Sequence, residues 1–444
     1  MADTKKKIFL LSLGCAKNLV DSENILGILS SQGYPIAEDI DDADIGIINT
    51  CGFLQSAVKE AISVILEMIG FKKRGGLEKV IVTGCFVQRY GYKLKREMPE
   101  VDGWIGTGEL NRVTELVEST GSNAPFYIGR PEFIADHELP RVQTTPFYSA
   151  YIKIAEGCFH RCTYCAIPAI RGPLRSRPVE SIVLEAKAMR DRGVKEINLI
   201  AQDTTVYGSD LGMDCGIERL LEELIPIQGI EWIRVLYSHP NEIRDLFLGL
   251  MDREEKIAPY LDIPLQHVNK RILKTMAREI KGETPYELIE RVRSYKRGFS
   301  LRTTMMVGFP GETDEAYQEL YDFVKKVEFD HLGTFIYSPE PGTHAARLKG
   351  IPDKKVSKKR RDSIMRLQAR ISLKKNRGMI NKTIPVLVEG FSKETDLLLS
   401  GRSIRMAPDV DTQVLINSGE GMIGEIQNVL VTEANPYDLV GEIV

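Results

Sequence analysis

The chain has 444 residues, 43% hydrophobic and 27% charged, with a formal net charge of −3. That is the make-up of a soluble globular protein long enough for two or three domains, and its balance advertises no polyanion partner. Seven cysteines are an odd number. They do not form the dense framework of a small secreted domain, and fit a reducing cytoplasm in which thiols are kept for metal or chemistry.

The opening "KKKIFLLSLGC" has a basic start and an apolar run, like a short secretion signal. Its apolar stretch of about seven residues is at the bottom of the range for such signals, and a β-strand is the better reading. No uncharged apolar run elsewhere approaches the roughly 18 residues that cross a bilayer, so no membrane association is expected.

Three near-continuous apolar runs, "KIFLLSLGC", "IGIINTC" and "KVIVTGC", alternate with the helical patterns "NLVDSENILGILSSQG" and "FLQSAVKEAISVILEMIGFKKR". Strands buried on both faces read this way, and the alternation predicts a doubly wound parallel α/β sheet over residues 1–140. Each strand ends at a cysteine, Cys15, Cys51 and Cys85. Parallel strands put their carboxyl ends on one edge, where open sheets bind ligands, so the three thiols are expected to converge on one metal site. The plainer alternative is three buried cysteines acting as small apolar residues.

From residue 145 the alternation restarts. "YIKIAEG", "EINLIAQD", "WIRVLYS", "YLDIPLQ", "LRTTMMVGF" and "HLGTFIYS" read as six strands with helices between them. They predict a partial (β/α) barrel over 145–376 whose site lies at the strands' carboxyl ends. Just after the first strand comes "EGCFHRCTYCAIP", with Cys158, Cys162 and Cys165 spaced C-x3-C-x2-C. Thiolate sulfur favours zinc, copper(I) or iron–sulfur clusters, and three cysteines leave one iron of a 4Fe–4S cluster open to an outside ligand.

This loop resembles the signature of the radical S-adenosylmethionine enzymes, in which the open iron binds that cofactor and the reduced cluster cleaves it to a 5′-deoxyadenosyl radical. The resemblance assigns Tyr164, Gln202 and Asp203 to S-adenosylmethionine. "VGFPGETDE" carries a Gly–Pro turn at another strand end, and His239 and His267 are expected either to line the site or to cap local structure. Cys215 has no partner cysteine nearby and reads as a spare thiol.

Residues 354–377 hold eleven Lys or Arg against one acid. Ile364, Leu367 and Ile371 recur at helical spacing, which predicts a basic helix with one face on the barrel. Five short alternating runs follow over 377–444 and predict a small antiparallel β-barrel. From Met379 onward, four basic and ten acidic residues give a net of −6. This is the wrong sign for RNA and suits a basic protein partner through acids such as Glu389, Asp409 and Asp411.

In this order, the three parts resemble the methylthiotransferases, which end in a TRAM barrel. "LGCAKNLVDSE", "NTCGFLQSAVKEAI", "EGCFHRCTYCAIPAIRG" and "PLQHVNKRILKTM" look like the branch that modifies a ribosomal protein. The tRNA-modifying branch reads closer to "GCQMN" and "NTCSVRE". Phe159 and Ala169 depart from the branch pattern, which usually has Asn and Ser there.

The resemblance implies β-methylthiolation of one aspartate in small-subunit ribosomal protein S-twelve, free or in the ribosome. Cys15, Cys51 and Cys85 would hold an auxiliary 4Fe–4S cluster carrying the sulfur. Cys158, Cys162 and Cys165 would hold the cluster that cleaves S-adenosylmethionine, which also gives the methyl group. A reductant such as flavodoxin or ferredoxin and a sulfur donor are implied. The rival readings are a tRNA adenosine methylthiotransferase, which would need a basic last domain, and a non-catalytic iron–sulfur carrier, which would leave the barrel unexplained.

Overall fold

The computed structural model describes residues 5–120 and 124–444. Strands β1 Ile8–Ser12, β2 Ile45–Thr50, β3 Lys79–Gly84, β4 Gly103–Ile105 and β5 Phe126–Tyr127 form a wholly parallel sheet in consecutive order. Helices α1 Ala16–Ser31, α2 Gln55–Lys73, α3 Cys85–Tyr90, α4 Lys93–Glu97 and α5 Val113–Glu118 cover both faces. Alternate strand residues serve opposite layers. Ile45, Ile47 and Ile81 pack with Ile25, Leu29 and Leu116, while Ile48, Val80 and Val82 pack with Ala61, Ile65 and Met68. That two-sided burial is why the strands read as unbroken apolar runs.

The second domain contains β6 Ser149–Lys153, β7 Ala155–Glu156, α6 Ile167–Arg171, β8 Arg175–Ser176, α7 Val179–Asp191, β9 Glu196–Ile200, α8 Gly216–Leu224 and β10 Trp232–Val235. It continues through α9 Asp245–Arg253, β11 Tyr260–Asp262, α10 Lys270–Thr275, α11 Pro285–Arg293, β12 Ser300–Val307, α12 Asp314–Val327 and β13 His331–Ile336. The six expected barrel strands are β6, β9, β10, β11, β12 and β13. They pair in parallel as β10-β9-β6 and β11-β12-β13, and the two halves meet at the Ile233–Ile257 bridge. The barrel is open, as predicted. The short β7–β8 ribbon stands at its rim and brackets the tri-cysteine loop.

Helix α13 Lys354–Arg377 follows, with Ile364, Leu367 and Ile371 buried in the barrel's core cluster. Its Ser357 fills the space beside Gly308, where an added Cβ would fall 2.9 Å from the Ser357 Cβ. Arg360 pairs with Glu312 at 2.8 Å. The "VGFPGETDE" turn is therefore shaped by its packing on α13.

Strands β14 Thr383–Ser392, β15 Thr395–Ser403, β16 Val414–Ser418, β17 Ile426–Ala434 and β18 Leu439–Ile443 close a barrel in the order β14-β15-β16-β18-β17. All pairings are antiparallel except β16–β18, which is parallel. The expected antiparallel barrel thus has one exception. Alternation says which face a residue takes and is silent about partners, so the return of β18 beside β16 was not readable.

This last barrel is docked on the amino-terminal end of the middle one. Glu196, at the first position of β9, accepts from Arg402 at 2.7 Å, Arg234 at 2.9 Å and Ser149 at 2.8 Å. Burial opposes ionisation of Glu196, but Arg402 and Arg234 outweigh it and hold the carboxyl down to about 2. The acids singled out for partner binding are spent here. Glu389 pairs with Arg402 at 2.8 Å, Asp409 accepts from Tyr151 at 2.7 Å and Asp411 accepts from Tyr260 at 2.6 Å. The net charge of the domain was legible, but its outward share is carried by Glu394, Asp396, Glu420 and Glu433, with Asp409 exposed as well as bonded to Tyr151.

Candidate functional site: two thiol triads across one seam

Cys15 caps the amino end of α1, Cys51 follows β2 and Cys85 opens α3. A Cβ added to Gly14, which has φ +101°, would fall 2.8 Å from the Cys51 Cβ, and one on Gly52 would fall 2.7 Å from the backbone of Cys85. The two glycines let neighbouring strand ends close up, and the three cysteines converge as expected. Cys15 is exposed, Cys51 half-buried and Cys85 buried.

Burial pushes the Cys85 thiol up to about 11, with Arg171 only partly offsetting it, and burial raises Cys51 as well. Cys15 lies below the ordinary thiol range. Its confined setting works against ionisation, but Lys17, the Asn18 N–H and Arg171 outweigh it. One thiol lowered by its neighbouring cations and two raised by burial describe a donor set completed by a soft metal.

The second triad lies in the loop between β7 and α6. Its backbone is pinned by Cys158 N–H donating to Gly172 O at 3.1 Å and Thr163 N–H to Met276 O at 3.0 Å. Burial raises Cys158 to about 11 and Cys165 to about 12. Arg278 donates to Cys162 Sγ at 3.5 Å and to Pro264 O at 3.1 Å, so a fixed guanidinium stands against this triad.

The two triads face each other. Cys85 packs directly against Ala166 and Ile170, the first of which follows Cys165. Arg171, at the end of α6, donates from Nε to Cys85 Sγ at 3.3 Å and from Nη2 to Asn18 Oδ1 at 2.6 Å. Its Nη1 also meets Asp21 at 2.8 Å and Glu156 at 3.0 Å. Lys153 pairs with the same two acids. Burial raises the Glu156 carboxyl, but Arg171 and Lys153 overcome it and hold it down to about 2. This four-residue ionic network crosses the domain boundary and fixes one triad relative to the other.

The residues assigned to S-adenosylmethionine divide. Gln202 and Asp203 follow β9 at the rim. Gln202 donates to Glu156 at 3.4 Å, and its Oε1 is buried without a partner. Asp203 meets His160 Nε2 at 2.6 Å, and the His160 ring stacks on His239 at 3.8 Å. One ligand atom from each of these three lies within 4.8 Å of the others, a spacing that suits a metal ion. Tyr164 instead packs edge-on against Phe309, beside Met276 and Ile272.

His239 both lines the rim and accepts from Asn241 N–H at 3.3 Å. His267 is a buried cap, with Nδ1 accepting from Val268 at 2.9 Å and Asn269 at 3.0 Å. Cys215 lies apart, near Arg244. Sequence reasoning missed Lys17, Asn18, Asp21, Lys153, Glu156, Arg171 and Arg278. All but the last sit inside or beside the quoted motifs, and the available signal was six polar residues among the nine of "AKNLVDSEN", in a helix that buries Lys17, Asn18, Asp21 and Glu23.

Family models match in the same order: "Uncharacterized protein family UPF0004" at residues 7–106, "Radical SAM superfamily" at 152–324 and "TRAM domain" at 380–444. The "Ribosomal protein uS12 methylthiotransferase RimO" of Pelobacter propionicus is 47% identical over 441 residues, covering 99% of this chain and 98% of that protein. Its counterpart in Geobacter sulfurreducens is 45% identical, with both chains fully covered. The chain belongs to the uS12 methylthiotransferase family.

Members are radical S-adenosylmethionine enzymes, and the structural neighbours share the fold. The methyltransferase TsrM from Kitasatospora setae, solved with cobalamin and a [4Fe-4S] cluster, aligns with a TM-score of 0.55 at 16% identity over 75% of each chain. The cobalamin-dependent enzyme OxsB aligns at 0.50 and 12% identity, over 82% of this chain and 56% of that one.

The family's iron–sulfur and S-adenosylmethionine chemistry fits the residues present. Three thiols per site leave one position for an outside ligand. Arg171 and Arg278 supply positive charge beside an anionic thiolate cluster. The orphaned Gln202 Oε1 offers a buried acceptor at the barrel rim. Among the described residues, no helix is long and apolar enough to cross a membrane.

Proposed function

We propose that this protein catalyses β-methylthiolation of an aspartate in small-subunit ribosomal protein uS12, in the cytoplasm. The division of labour runs over three domains. Residues 1–140 hold an auxiliary 4Fe–4S cluster on Cys15, Cys51 and Cys85. Residues 145–376 hold a second on Cys158, Cys162 and Cys165, with Gln202 and Asp203 toward S-adenosylmethionine and Tyr164 stiffening the loop from behind. Residues 377–444 form the TRAM barrel.

The observation that carries this reading is the packing of Cys85 on Ala166 and Ile170. It supports reading the two thiol sites as one active site. When bound, the clusters and S-adenosylmethionine supply the radical, the sulfur and the methyl group. The chain's own residues do the rest. Arg171 and Lys153 neutralise Asp21 and Glu156 and hold the two domains in fixed register. Arg278 locks the Cys162 turn to Pro264. The His160–Asp203 pair orients the rim, and burial together with Arg278 and the His160 ring holds His239 neutral, down to about 2. An unactivated C–H bond cannot be opened by a side-chain base near neutral pH, which is why a radical source is needed.

A reductant such as flavodoxin or ferredoxin and a sulfur donor complete the cycle. Mass spectrometry of uS12 and of tRNA from a deletion strain tests the assignment. Loss of the methylthio group from uS12 is expected. Intact uS12 with a methylthio group lost from tRNA adenosine would replace it with the tRNA reading.

A further inference from the structure

Lys17 is the second residue of α1 and is 9% exposed. Its Nζ stands 3.3 Å from the centroid of the Tyr237 ring. Tyr237 lies just past β10, at the carboxyl end of a barrel strand, so the Lys17 side chain reaches from the Cys15 turn to the barrel rim. The neighbouring cations of the seam are matched by acids, since Lys153 and Arg171 share Asp21 and Glu156. Arg278 is tied to Pro264 and Cys162. Among the described residues, no carboxylate pairs with Lys17.

Cys15 and the buried Asp262 lie within electrostatic reach of Lys17 but neither forms an ion-pair contact with it, so the cost of its lost hydration is only partly met. The ring face of Tyr237 repays part of that cost. Tyr237 itself is built with care. It holds φ at +64°, its N–H donates to Asp262 Oδ2 at 3.1 Å, and its carbonyl accepts from the Thr204 N–H at 3.0 Å. Such a conformation in a bulky residue persists only where the surroundings over-determine it, and it clusters at ligand sites.

The target carbon must lose hydrogen to one triad's chemistry and gain sulfur from the other's, so it lies between them. Lys17 borders that space from the sulfur-bearing side. We infer that Lys17 binds the carboxylate of the substrate aspartate and so selects an acidic side chain at the reacting position. This rests on the uS12 reading above. A cation held on an aromatic face can swing onto a carboxylate without unfolding its own ion pair, which the saturated Lys153 and Arg171 cannot do.

The test is binding to reconstituted enzyme of two uS12 loop peptides, one with Asp and one with Asn at the modified position. Wild-type protein should prefer Asp by about tenfold, the discrimination expected of a charge-assisted contact. Lys17→Met and Lys17→Gln should each bind both peptides at the wild-type Asn level, so one folded neutral variant suffices. Lys17→Arg should keep the preference. Iron content and substrate-free 5′-deoxyadenosine formation are measured beside binding, so that loss of the cluster near Cys15 is read separately from loss of the Asp preference. A neutral variant that keeps the Asp preference overturns the inference, whether or not its iron content falls, since lost iron would make Lys17 only a counter-charge for the cluster. If wild-type protein binds neither peptide, the uS12 reading itself fails first.

Discussion

The middle barrel is closed at its two ends by different domains, through buried ion networks of similar size and opposite meaning. At the amino-terminal end, Glu196 is shared by Arg234 and Arg402, and both of its oxygens are bonded. At the carboxyl end, Asp21, Glu156, Lys153 and Arg171 make the same kind of network. There, however, Arg171 also reaches a thiol, and among the described residues Lys17 forms no carboxylate ion pair and Gln202 Oε1 has no partner. A network that closes on itself holds domains together. One that reaches a thiol and leaves the Gln202 acceptor over at the rim can bind something further. The amino-terminal network leaves Arg234 Nε unpaired too, so what marks the active site is the thiol contact at the carboxyl end rather than leftover polar atoms alone.

Breaking each network should therefore cost stability at both ends and chemistry at one. The largest effect is expected for Arg171→Met, which strips a cation from beside Cys85 and leaves two acids to Lys153. Product formation should fall by about 10–100-fold even in folded protein, as second-layer losses at metal sites do. Iron analysis and turnover per folded chain measure it. Glu196→Ala leaves the buried Arg234 without an acid and Arg402 with Glu389 alone, and should destabilise the protein by about 3–5 kcal/mol. Its turnover per folded chain should stay at the wild-type level, as denaturant titration alongside activity would reveal. A Glu196 variant that loses chemistry would erase the contrast.

A smaller effect separates the two ends by pH. The Glu196 carboxyl is depressed to about 2 when folded, against about 4.3 in an unfolded chain. A depressed acid stabilises fully above its unfolded value, and loses that contribution as pH falls through the folded one. The melting-temperature gap between wild type and Glu196→Ala should thus be flat from pH 7 to about 5 and shrink between about pH 4 and 2. A gap that changes near neutrality would mean that another group controls the docking.

Much of this was legible in the sequence. The six cysteines announce themselves by strand-end position and by the C-x3-C-x2-C spacing, because ligand geometry is local. The strands of the first two domains are visible because burial on both faces leaves unbroken Ile and Val runs. Helix α1 was legible as a helix, but the burial of its polar residues was not. Periodicity assigns polar residues to solvent, and Lys17, Asn18, Asp21 and Glu23 are polar and buried because two domains enclose the helix. The same limit hid the fate of Asp409 and Asp411, since composition counts charges without saying which face another domain. The parallel β16–β18 pair escaped for a related reason, because a strand's pattern does not name its neighbour.

The central claim is that two thiol triads, each with its own cluster, form one active site with separable duties. The most direct measurement is the product analysis of a Cys15→Ala, Cys51→Ala, Cys85→Ala triple variant, reconstituted anaerobically with S-adenosylmethionine, reductant and uS12. About half of the wild-type iron should remain, since one of two four-iron sites is gone. 5′-Deoxyadenosine should still form, and no methylthiolated aspartate should appear. Methylthiolated uS12 at the wild-type rate from that variant would contradict the account, and would leave the amino-terminal cysteines a purely structural role.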